Sequence, residues 1–97
     1  MKFQLYNHNY NVADLVRSVG YRPIGTTLQG ELNCVRPLAG DYPRFHIYLV
    51  ETPEILTFSI HLDQKKPVYE GATAHNGDYE GEVVEEEVQR IKDIVLR

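Results

Sequence analysis

Ninety-seven residues, 42% apolar and 25% charged, fit one globular domain spanning 1–97 and exclude a disordered chain. A net charge of −4 argues against holding duplex nucleic acid through many phosphates, and no apolar run approaches the roughly 18–20 residues of a membrane-spanning helix. With one cysteine, Cys34, and no signal-like pattern after Met1-Lys2-Phe3-Gln4, the expectation is a soluble cytoplasmic protein, monomeric or a small oligomer, without internal disulfides.

Lys2–Tyr6 alternates apolar and polar residues and predicts a short first strand. Asn11 then has the character of a helix N-cap, followed by Val12, Leu15, Val16 and Val19 as one apolar stripe and Gly20 as a stop. Arg22-Pro23-Ile24-Gly25 predicts a break. Thr26–Leu28 and Glu31–Arg36 read as strands with a turn at Gly30, and Pro37 ends the second of them. Cys34, in mid-strand, reads as a small packed residue rather than a nucleophile.

The most informative stretch is 44–63. Phe45, Ile47 and Leu49 alternate to one side, and Leu56, Phe58, Ile60 and Leu62 join them across a hairpin whose turn is Glu51–Glu54. The other face carries Arg44, His46, Tyr48, Thr57, Ser59, His61 and Asp63. Pairing Val50 with Ile55 sets Arg44 opposite His61, with His46 diagonal to it at roughly 7–8 Å.

Residues 63–81 lack a period and are longer than the roughly 12–15 residues common for loops in compact domains. Asn76-Gly77 marks a tight turn, and the repeated Tyr-Glu-Gly at 69–71 and 79–81 suggests an ordered loop packed back on the sheet through Tyr69 and Tyr79. From Glu82 to Arg97 the sequence predicts a helix, with Val84, Val88, Ile91 and Val95 forming its stripe. Its early glutamates read as the solvated start of that helix. The resulting fold is α+β: a two-layer sandwich of order β-α-β-β-β-β-α, the sheet mainly antiparallel, with both helices on the Phe45/Ile47/Phe58/Ile60 face.

The opposite face is then open, and its residues suggest three chemistries. His61 and Asp63 project to one side of a strand, with His46 across the hairpin and His75 in the loop, which are ordinary metal ligands. No spacing motif accompanies them and Arg44 would repel a cation, so neither metal nor cofactor is assigned. Two histidines could instead exchange protons while Arg44 with Lys65 or Lys66 stabilises negative charge, as in a small His-based hydrolase. The basic residues Arg36, Arg44, Lys65 and Lys66 form a local cluster suited to a single anion, whereas 67–97 carries three basic against eight acidic residues. Finally, Tyr48, Val50 and Ile55 suit a protein partner or a homodimer. The expectation is a small binding protein whose anion or ligand site comprises Arg44, His46, His61, Asp63, Lys65 and His75. A non-catalytic interaction module on the same face is the alternative.

Overall fold

In the computed structural model, which describes residues 1–6, 10–64, 77–78 and 81–96, the hairpin at the centre of the sequence is also the centre of the sheet. The strands are β1 (Lys2–Tyr6), β2 (Arg22–Thr26), β3 (Leu32–Pro37), β4 (Arg44–Glu51), β5 (Ile55–Asp63) and the two-residue β6 (Gly77–Asp78). The helices are α1 (Val12–Ser18) and α2 (Glu82–Val95). The sheet runs β1-β5-β4-β3-β2, every pairing is antiparallel, and β6 pairs with the end of β5. This is the α+β order expected, with β6 added inside the 63–81 connection. Gly77 therefore lies in a strand, not at a turn tip; Asn76, Tyr69 and Tyr79 lie outside the described residues. No helix among the described residues is long and apolar enough to cross a membrane.

Local chemistry accounts for the helix ends. The Asn11 side chain accepts from the Asp14 backbone N–H at 3.1 Å, satisfying one of the donors that a first turn leaves bare. Gly20 follows the helix at φ 90°, a conformation that side-chain-bearing residues avoid.

Three boundaries differ from the sequence reading, the first being Thr26–Leu28, which is strand only at Thr26 and turns at Leu28. Residues 22–26 form strand rather than a break, because β2 is an edge strand where Pro23 needs no partner for its missing N–H, and the register slips between Pro23 and Gly25. The β4–β5 turn comprises Thr52–Ile55, not Glu51–Glu54. The Thr52 backbone N–H donates to the Ile55 carbonyl at 2.8 Å, and the Thr52 hydroxyl accepts from the Ile55 N–H at 3.0 Å. Pro53, with its fixed φ, sits second in the turn, where proline is favoured. The register consequently pairs Val50 with Thr57, not with Ile55. A shift of two keeps every side chain on its expected face but changes every partner.

One face of the sheet joins the helices in a single core. Leu15, Val16 and Val19 of the first helical segment and Val84, Val88 and Ile91 of α2 cluster with Phe45, Ile47, Phe58 and Ile60. Phe58 is fully buried and stacks on Phe3 with centroids 4.5 Å apart. Cys34 faces the same core, fully buried and beside Ile47 in register, and burial pushes its thiol up to about 11.

Glu87 departs from the solvated-glutamate reading. It is 4% exposed, and its carboxylate accepts from Tyr21 Oη (2.5 Å), Arg36 Nη1 (3.2 Å) and Arg90 Nε (2.7 Å). Arg90 also donates to the Val19 carbonyl at 2.5 Å. Arg36 therefore serves the helix side of the sheet and does not join Arg44 in a basic cluster, because it pairs in register with the core residue Phe45. Burial, then the Glu87 hydrogen bond and charge, hold the Tyr21 hydroxyl far above its ordinary value.

Two predictions follow from this packing. Phe58→Ala is expected to cost about 3–5 kcal/mol in chemical denaturation, and Ser59→Ala, on the other face, well under about 1 kcal/mol. Equal costs would contradict the assignment of faces. Because Tyr21 ionises near about 10 only when unfolded, its contribution is complete below that pH and is lost as pH rises further. The stability gap between wild type and Tyr21→Phe should therefore narrow above about pH 10, as read by urea titrations across the alkaline range.

Candidate functional site

The two-residue change in register assembles the site. His46 stands directly opposite His61, and Arg44 opposite Asp63, where the sequence reading had set Arg44 opposite His61. Alternation on β4 and β5 then puts all four side chains on the face away from the helices.

They converge on one carboxylate. Asp63 Oδ1 lies 2.7 Å from His61 Nε2, and Oδ2 lies 3.2 Å from His46 Nδ1 and 3.3 Å from Arg44 Nε. Burial opposes ionisation of Asp63, but the hydrogen bonds and charges of His46 and His61 outweigh it and hold the carboxyl well below the usual range. The second nitrogen of His46, Nε2, meets Asn33 Oδ1 at 2.9 Å. Asn33 reaches it from β3, where its neighbour Val35 is in register with His46.

The cluster at this end of the face has little exposure. His46 and His61 are only 8% and 7% exposed, and Val35 beside them is fully buried. Tyr48 stacks on His46 at 4.5 Å and on His61 at 5.8 Å, while the two imidazoles tilt against each other at 4.9 Å. A row of three rings thus shields the polar atoms from water on one side. The turn end of the same face stays exposed at Val50.

Arg44 is held differently from the histidines. Its guanidinium lies over the Tyr42 ring, 4.7 Å from the centroid, while Nε is tied to Asp63. The terminal amino groups of Arg44 have no hydrogen-bond acceptor among the described residues.

Of the six expected site residues, the structure brings Arg44, His46, His61 and Asp63 together, and Lys65 and His75 lie outside the described residues. Asn33 and Tyr42 were missed. Asn33 could be reached only through the β3–β4 register, and Tyr42 precedes the strand, where alternation gives no direction. A groove of about 300 Å³ between Tyr10, Asp14, Leu15, Ser18 and Ile94 lies on the helix layer, away from all these groups, and gathers no comparable set of charges.

What the site can do follows from its donors and acceptors. It contains one ionised carboxylate, one fixed guanidinium and two imidazoles whose nitrogens point at oxygen. Such a set can hold an anion through Arg44 or a cation through the imidazoles and carboxylate. No protein-family model, curated protein or solved structure matches the chain.

Proposed function

We propose that the domain binds a small anionic ligand on the sheet face at Arg44, beside His46 and His61. The observation that carries this reading is the state of Arg44. Its side chain is 20% exposed, clamped at Nε by Asp63 and beneath by Tyr42, with its terminal amino groups directed at no acceptor among the described residues. A guanidinium so fixed has already lost most of its rotamer freedom, so an incoming phosphate or carboxylate meets a preorganised two-pronged donor. Asp63 orients the arginine through one nitrogen and leaves the fork available.

The test uses inorganic phosphate with a chelator present. Wild type should melt at higher temperature as phosphate is raised, relative to chloride at equal ionic strength. Arg44→Ala should abolish that rise, and Arg44→Lys should retain only part, because a point charge lacks the planar fork. A wild type indifferent to phosphate, sulfate and small dicarboxylates overturns the reading.

A second reading is favoured by the turn end of the same face. Val50 is 38% exposed and Tyr6 64% exposed, with Ile55 half-buried and paired in register to Tyr6. Apolar surface of this kind suits a two-fold contact between hairpins of two copies. Val50→Asp should then dissociate the dimer without unfolding the chain, as light scattering over a concentration series would show. A wild type that stays monomeric at high concentration removes this reading.

A further inference from the structure

We propose that His46 Nδ1, His61 Nε2 and Asp63 together bind a divalent transition-metal ion. The donor atoms lie within 4.8 Å of one another, and the two nitrogen–oxygen separations are 2.7 and 3.2 Å. An ion held by imidazole and carboxylate at about 2.0–2.2 Å places neighbouring donors roughly 3–3.5 Å apart, whether the arrangement is octahedral or tetrahedral. His61 Nε2 faces Oδ1 and His46 Nδ1 faces Oδ2, so the carboxylate already stands between the two imidazoles, and a small side-chain adjustment from the 4.8 Å spread of the donors brings them to ligating distance.

The second nitrogen of His46 supplies an independent observation. Nε2 donates to Asn33 Oδ1 at 2.9 Å, the outer partner that metal-binding histidines characteristically have. With the proton committed to Nε2, a neutral His46 turns the Nδ1 lone pair towards the Asp63 carboxylate. A nitrogen and a carboxylate oxygen facing each other at 3.2 Å form a pair that a cation between them can bridge. A proton can fill that role, and so can a metal ion shared with His61. Burial matters too: both histidines are nearly inaccessible, and Tyr48 covers the pair, so the ligands are fixed and partly desolvated.

Two imidazoles and a carboxylate select first-row divalent ions over calcium or magnesium, and three protein ligands leave coordination positions for something else. Arg44 adjoins the carboxylate ligand, its Nε 3.3 Å from Asp63 Oδ2. It adds a charge unfavourable to the ion, but Asp63 compensates part of it, and ion and guanidinium together create a site for an anionic group. The inference thus deepens the anion-binding reading and rests on it for what occupies the remaining positions.

The experiment titrates zinc into tag-free protein freed of metal with a chelator, in a phosphate-free, non-coordinating buffer, followed by calorimetry and by nitrogen NMR of the histidine side chains. Binding of one ion per chain is expected, with the resonances of His46 Nδ1 and His61 Nε2 shifted. Asp63→Asn and His61→Ala should each weaken binding by at least about tenfold, and Asn33→Ala by about 10–100-fold. Ser59→Ala should bind as wild type. The wild-type NMR reading stands even if a variant fails to fold. Absence of binding by zinc, manganese, cobalt and nickel, or binding that leaves those two nitrogens unshifted, overturns the inference. A thermal rise with phosphate in chelator then leaves the anion reading standing alone. Zinc binding without any phosphate response overturns only the anion reading.

Discussion

The hydrogen bonds that close the Thr52–Ile55 turn govern what the rest of the sheet can do. They set Glu51 opposite Leu56 and propagate one register along the longest strands of the sheet. At the far end of that ladder, eight pairs away, the register decides which polar side chains meet. Moved by two residues, the same sequence would keep its core, since alternation is insensitive to an even shift. It would lose the meeting of His46 with His61 and of Arg44 with Asp63. A proline and a threonine hydroxyl thus determine a constellation at the opposite end of the hairpin.

The two faces of the sheet handle charge by the same means. On the helix side, Glu87 is buried against Tyr21, Arg36 and Arg90, linking α2 to β3 and to the chain that follows α1. On the other side, Asp63 is half-buried against His46, His61 and Arg44. Each carboxylate is tolerable only because several donors surround it, and removing one donor leaves a poorly compensated charge. The networks differ in their donors. Around Glu87 stand two arginines and a phenol, which do not change charge near neutrality. Around Asp63 stand two imidazoles, which can also give up a proton and coordinate. The first network fastens layers together, while the second has chemical alternatives.

Much of this was legible in the amino-acid order. The stripe Val84, Val88, Ile91 and the alternation Phe45, Ile47, Leu49 specify their own elements, because helix and strand periods differ and neither depends on distant chain. Arg44, His46, His61 and Asp63 were legible as one face for the same reason. Register was not, because a four-residue connection can be placed one position earlier or later without disturbing either period. Glu87 was misread since a run of glutamates looks alike at every position; its burial depends on Tyr21 and Arg36, distant in sequence. Pro23 illustrates a third limit. Proline breaks an interior strand yet suits an edge, and edge position is a property of the assembled sheet.

Cys34, sealed in the centre of the sheet beside Ile47, gives the molecule an internal clock. A thiol pushed up to about 11 and walled off from solvent reacts with an alkylating reagent only when the core between sheet and helices opens. The lifetime of that thiol in the native protein therefore measures how often the core opens. Anything that occupies the opposite face, ion or anion, would register as a slower tick.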